Sequence, residues 1–235
     1  TYENFLNFHR TYYHPSNSYI YLYGNMDMEE KLAFLDEHYL SHFDYLDVDS
    51  VIQEQKAFGA CQDVTLEYPV AENEGEEDNT YLSYNMVVGN AADSQMAMAF
   101  EVLDYALLSA PGAPLKQALL DVKAGKDVYG SYDDGILQPY FTVIAKGSNP
   151  DRKEEFVSVI RQVLGDIVKN GIDKKAVEAG INYFEFRYRE ADFSFYPKGL
   201  MYSLDILGDW LYEKGNPFAQ VQQLTVFEKL KKAVN

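Results

Sequence analysis

The stretch from Phe8 to Asn25, FHRTYYHPSNSYIYLYGN, dictates a helix, a break and a strand within eighteen residues. Phe5, Phe8 and Tyr12 recur at helical spacing, so Tyr2 to Tyr12 reads as a helix. Pro15 has no backbone N–H, and its ring pushes His14 out of the α region, so the helix ends there. Ser18 to Tyr23 is rich in β-branched and aromatic residues, and Gly24 and Asn25 close the run with a turn signal.

The same alternation continues along the chain. Asp27 is placed to cap a helix from Met28 to Tyr39, with Glu29 and Glu30 in its first turn. Strands are expected at Ala60 to Val70 and Tyr81 to Val88, joined by an acidic hairpin loop over Glu72 to Asn79. Asp93 or Ser94 caps a helix with apolar residues from Met96 to Leu108; Ala110 to Pro114 stops it, and Pro114 opens another through Leu120. Strands follow at Asp127 to Tyr132 and Tyr140 to Lys146, joined by Asp133, Asp134 and Gly135. Asp151 is the expected cap of a helix to Lys169, ended by Asn170 and Gly171, and Asp173 begins one reaching Glu190. Helices over Lys198 to Tyr212 and Phe218 to Lys232 complete the tail around Gly215, Asn216 and Pro217.

Strands followed by hairpins or paired helices, rather than single crossovers, favour an α+β layer over a doubly wound parallel sheet. The expectation is an antiparallel sheet covered by helices, over residues 1–196, with a helical C-terminal extension over 197–235.

Composition excludes several functions. The formal net charge of -17 disfavours nucleic acid and anionic membrane surfaces, which both need clustered Lys and Arg. It suits solubility, and it would attract basic peptides. The apolar run Ala97 to Ala110 is interrupted by Glu101 and Asp104, and nothing reaches the ~18 uninterrupted residues of a membrane span. The single cysteine, Cys61, excludes an internal disulfide, suits a reducing and cytoplasmic compartment, and reads as a small strand residue. The start at Thr1, with no charged-then-apolar leader, has the pattern of a processed or excised piece.

Catalytic constellations are missing from the pattern. Of His9, His14, His38 and His42, the pair His38 and His42 has the i, i+4 spacing that can place two imidazoles on one helix face. A hydrolytic zinc site also needs a third ligand and a carboxylate base, and Glu37 projects about 100° away from His38. Phe34 stands where HxxEH would need its first histidine, followed by Glu37 and His38, and phenylalanine cannot coordinate zinc. His38 and His42 therefore read as surface histidines or an adventitious metal site. Asp44, Asp47 and Asp49, and the pair Asp133 and Asp134, lack the twelve-residue EF-hand spacing. No GxGxxG, GxxxxGK[ST] or GxSxG occurs, and Ser131 and Ser203 have no partner readable from sequence. Arg187 and Arg189, near Glu185, Glu190 and Asp192, read as a structural ion-pair network or a substrate-contacting basic cluster.

Several blocks, in order, resemble the pitrilysin/insulinase zinc metallopeptidases, especially their presequence-protease branch. After Phe8 to Asn25 these are LAFLDEHYLSHFD (Leu32 to Asp44), TYLSYNMVVGN (Thr80 to Asn90) and LLSAPGAPLKQALLD (Leu107 to Asp121). NYFEFRYREADFSFYPKGL (Asn182 to Leu200), with its PxGL sequence, and WLYEKGNPF (Trp210 to Phe218) complete the set. The resemblance implies the second, non-catalytic domain of a four-domain clamshell peptidase, in which α+β domains enclose a chamber for unstructured peptides. Zinc would belong to the parent's first domain, with no cofactor in this chain. Lys116 and Lys123 stand where the family's last domain carries an Arg and a Tyr seven apart, a departure that fits a second domain. The implied partners are the catalytic and C-terminal domains of the parent and peptide substrates, with homodimer formation open to the isolated domain through surfaces its neighbours would cover. The alternative is a stand-alone inactive homologue acting as a binding or assembly subunit.

Overall fold

The computed structural model describes residues 1–73, 75–91, 93–191, 193–212, 216–219 and 221–234. Helix α1 (Tyr2–Tyr12) is capped by Thr1, whose Oγ1 accepts from the Asn4 amide at 3.2 Å. His14 is extended (φ -141), as a residue before proline should be, and Pro15–Asn17 form one 3-10 turn. Helix α2 (Met28–His38) starts where expected, with Asp27 Oδ1 accepting from the Glu30 amide at 3.1 Å.

The sheet comprises β1 (Thr80–Val87), β2 (Asp127–Asp133) and β3 (Tyr140–Ser148), antiparallel in the order β1-β3-β2. Tyr84 and Gly130 both oppose Val143, and Leu82 and Val128 both oppose Ala145, so β3 is paired along both edges. Between β1 and β2 lie α3 (Ser94–Asp104), a wider π turn (Tyr105–Ser109) and α4 (Pro114–Asp121). After β3 come α5 (Lys153–Asn170), α6 (Lys174–Glu190), α7 (Lys198–Leu211) and α8 (Leu224–Val234). This is an α+β fold, a small antiparallel sheet covered by helices.

Two cores hold it together. In the first, Leu82, Val128, Phe141, Val143 and Ala145 of the sheet meet Leu115 and Leu119 of α4 and Phe156 and Ile160 of α5. In the second, Val102 and Ala106 meet Val177 and Ile181 of α6 and Phe227 of α8. The α3–π segment joins them, since Leu107 and Leu108 enter the first and Val102 and Ala106 the second. Its close approach to β2 needs Gly130, where a Cβ would collide with the side chains of Leu108 and Asp104.

Some elements differ from the sequence expectation. Tyr19 to Tyr23 and Ala60 to Val70 pair with no strand among the described residues, and a strand is completed only by a neighbour's hydrogen bonds. Val64, Leu66 and Tyr68 line a groove of about 1140 Å³ with Tyr81 and Leu82 of β1 and with Phe156 and Val157; Tyr68 bridges it, its ring 5.9 Å from that of Tyr81 and its hydroxyl donating to the Asn79 carbonyl. Cys61, read as a strand residue, is exposed on this segment. Asp151 does not cap α5: it lies inside a 3-10 turn, Pro150–Arg152, that leads into the helix. The last helix begins at Leu224 rather than Phe218, because the Asn216 side chain accepts from the Phe218 amide and turns the chain there. Gly215, and Glu74 of the acidic loop, lie outside the described residues. No helix among the described residues is long and apolar enough to cross a membrane.

These packing differences give opposite signs to two glycine substitutions. Gly130→Ala should lower stability by about 1–3 kcal/mol in thermal or urea unfolding, because the new methyl overpacks against Leu108. Gly165→Ala, inside α5 with open space around it, should raise stability by about 0.5–1 kcal/mol.

Candidate functional site

The paired histidines do not share a helix. His38 is the last residue of α2, Tyr39 breaks the helix (φ -139, ψ -64), and His42 ends the following 3-10 turn, Leu40–His42. The His38 ring instead lies 4.6 Å from that of Phe34, and the rings of His9 and His14 lie against Tyr13 and Phe43. Among the described residues no group of three or more His, Cys, Asp or Glu is placed to hold a metal ion. The donor set around His38 and His42 therefore does not fit zinc, and no hydrolytic step can be built on it.

The second candidate, at the end of α6, is structural. Glu185 accepts from Arg189 Nε at 2.9 Å and Nη2 at 2.7 Å, and from Lys231 Nζ of α8. The bonds from Lys231, then Arg189, hold the Glu185 carboxyl below its usual range. Arg187 is turned away, its guanidinium 5.7 Å from the Tyr183 ring. The network ties α6 to α8; Asp192 lies outside the described residues.

Lys116 bonds Asp127 at 3.2 Å, joining α4 to the start of β2 and lowering the Asp127 pKa. Lys123 lies beyond the end of α4, with a left-handed backbone (φ 54), so the two lysines do not form a pair on one helix face. Asp133 shapes a turn: it accepts from the Gly135 amide and from the Tyr140 hydroxyl, both at 3.0 Å.

The most perturbed groups were not singled out as a site by the sequence. Burial, then Asp134 and Asp104, push Glu101 on α3 up to about 7, against the opposing pull of Arg187. Burial also raises Asp104 and Asp134. Asp205 on α7 is pushed up to about 6 by burial, then by Asp134 and Asp209. Tyr132 on β2 rises to about 12 by burial and by Asp134, Glu101 and Asp93. Asp104 Oδ2 accepts from Ser109 Oγ at 3.3 Å, while Oδ1 is buried with no hydrogen-bond partner among the described residues. Two acids interrupting an apolar helix face were the available signal; that Asp134 and Asp205 converge on them was not visible. The group contains no nucleophile with a base, and it gathers carboxylates without assembling an acid–base pair around a cleft.

A second groove, of about 600 Å³, is lined by Tyr21, Tyr188, Tyr202, Ile206, Val221 and Leu224. Two of its polar groups are committed: the Tyr188 hydroxyl donates to the Val221 carbonyl at 2.6 Å, and Arg189 pairs with Glu185.

An α+β domain with helices over a small antiparallel sheet, and no assembled catalytic set among its described residues, is what these observations define. Residues 1–184 match the family described as Peptidase M16 inactive domain, and the chain belongs to that family. It is 45% identical over 234 residues to Protein HypA of Clostridium perfringens, covering 100% of this chain and 24% of that protein. It is 32% identical to Presequence protease 1, chloroplastic/mitochondrial, of Arabidopsis thaliana, covering 98% of this chain and 22% of that protein. The inactive peptidase domain of a candidate zinc protease from Bordetella parapertussis shares the fold, with a TM-score of 0.52 at 13% identity over 66% of this chain and 83% of that one. The chain thus spans about a quarter of the length of the curated relatives it matches.

Replacing Glu185 by Gln should cost about 1 kcal/mol of stability, measured by urea unfolding at neutral pH. Because its folded pKa is depressed, the wild-type advantage is present above the ordinary glutamate value of about 4.3 and is lost as pH falls through the folded value. The two unfolding curves should therefore converge on acidification; a difference that persists in acid would show that Glu185 acts through packing rather than charge.

Proposed function

We propose that this chain is a non-catalytic wall of the peptide chamber in a larger zinc metalloendopeptidase, docking on its catalytic domain. The observation that carries the reading is the match to an inactive peptidase domain by a chain spanning 24% of a relative that is 45% identical to it. On this reading, residues 1–196 form the wall and 197–235 a helical extension. Zinc and its base belong to another domain of the parent, and this chain holds no cofactor. The substrates are unstructured peptides. A net charge of -17 would draw basic ones towards the wall, with an encounter rate that falls as salt rises.

The large exposed side chains of the N-terminal segment support a docked role. Phe5 is 67% exposed, and Leu66 is 84% exposed. Apolar area on this scale marks an interaction surface.

The test compares the chain with the full-length polypeptide of the same reading frame. The chain alone should show no peptide turnover, with or without added zinc, while the full-length protein should show chelator-sensitive turnover. Zinc-dependent turnover by a clean preparation of the chain alone would overturn the reading. An inactive parent, or a frame with no further domain, would establish the stand-alone binding subunit instead.

A further inference from the structure

Strand β1 has an open side. Among the described residues the sheet order β1-β3-β2 leaves it as an edge. Val88 donates to the Pro139 carbonyl at 2.8 Å, so by alternation Leu82, Tyr84 and Met86 bond β3. Ser83, Asn85 and Val87 then turn their backbone N–H and C=O groups to the open side. An edge of this kind recruits the backbone of another chain unless something covers it.

A cover is built into the chain. From Asp63 to Val70 the residues alternate, with Val64, Leu66, Tyr68 and Val70 falling on one face of an extended run. Val64 and Leu66 are 72% and 84% exposed, an apolar face without a seat. The matching face of β1 carries Leu82, Tyr84 and Met86 on the first core, and Phe156 and Val157 of α5 line the groove between the two runs. The segment is already moored at one end. Tyr68 spans the groove, its ring 5.9 Å from that of Tyr81 and its hydroxyl donating to the Asn79 carbonyl. The Asp78 amide donates to Asn149 Oδ1 at 2.8 Å, and Asp78 Oδ1 accepts from Asn149 Nδ2 at 2.7 Å, which fixes where the chain re-enters the sheet. A parallel pairing needs a crossover of about a dozen residues or more, so two runs joined by residues 71–79 can pair only antiparallel. With Tyr68 at the Tyr81 end, matching the apolar faces sets Tyr68 opposite Leu82, Leu66 opposite Tyr84 and Val64 opposite Met86; a slip of one residue would turn the apolar face to water. Pairing carries Asp63 towards Val87 and gives up its exposed ion pair with Lys153, which follows closely on Ser148, the partner of Thr80. Such a pair is weak.

We propose that residues 63–70 are a strap that closes on the open side of β1 as a fourth strand, bonding the free backbone groups of Ser83, Asn85 and Val87 and laying Val64 and Leu66 against α5. Closure denies that edge to other chains. The inference stands apart from the chamber-wall reading and survives if that reading fails.

Amide hydrogen exchange, read residue by residue by NMR, tests the strap. In the wild-type chain the amides of Ser83, Asn85 and Val87 should exchange about tenfold or more slowly than in an unstructured chain, as a strap closed about nine-tenths of the time requires. Val64→Asp combined with Leu66→Asp, both at exposed positions, should return these three to within about twofold of unprotected rates. Leu82, Tyr84 and Met86, which bond β3, should stay protected and show that the sheet is intact. Wild-type amides of Ser83, Asn85 and Val87 at unprotected rates overturn the strap. So does protection that survives both substitutions, which would come from a different partner, such as a second copy of the chain. Should the double variant lose the sheet, Glu67→Pro, which removes the backbone donor that faces Ser83, decides by the same readings.

Discussion

The contact between α3 and β2 at Gly130 is the constraint on which the rest of this structure depends. No side chain larger than hydrogen fits there, because Leu108 and Asp104 come down directly onto the strand. The approach lets one helical segment serve both cores: Leu107 and Leu108 reach the sheet, and Val102 and Ala106 reach α6 and α8. A π turn at Tyr105–Ser109 rotates the helix face between the two. Without that shared segment the sheet layer and the C-terminal helices would be separate hydrophobic clusters, each too small to hold its elements firmly.

The same close packing creates the molecule's main electrostatic tension. Bringing α3 onto β2 removes Glu101 and Asp104 partly from water, and Asp134 raises both Glu101 and Asp205 of α7. Carboxyls at the periphery behave oppositely. Asp127 and Glu185 bond lysines or arginines and ionise more readily, so they fasten α4 to β2 and α6 to α8 at neutral pH. One class of acid ties elements together and the other loads an interface.

Much of the helical scaffold was legible because local chemistry decides it. Asp27, Asp93 and Asp173 each cap the helix that follows, as their short acceptor side chains predict. Pro15 ends one helix, Pro114 opens another, and Gly171 closes a third, since proline and glycine restrict or free the backbone whatever surrounds them. Strands were read less well. Tyr81 to Val88 and Tyr140 to Lys146 found each other within one or two residues of their expected bounds, but Tyr19 to Tyr23 and Ala60 to Val70 joined no strand among the described residues. Alternation announces a residue run that could join a sheet, and only a partner's backbone makes it a strand. The likeness to solved inactive peptidase domains settles the fold despite these unpaired runs.

By itself the sequence determined the helix ends set by Asp27, Asp93, Asp173, Pro114 and Gly171, the acidic character, and the lack of an HxxEH zinc motif, because each depends on residues close together in the chain. It also set His38 and His42 four residues apart, although the break at Tyr39 that separates them onto two helical turns was a tertiary outcome. Only the tertiary structure decided that Glu101 and Asp205, more than a hundred residues apart, both feel the charge of Asp134. Capping and turn formation act over three or four residues, so a sequence displays them directly. Desolvation and charge repulsion depend on what packing brings near, and no spacing along the chain encodes that distance.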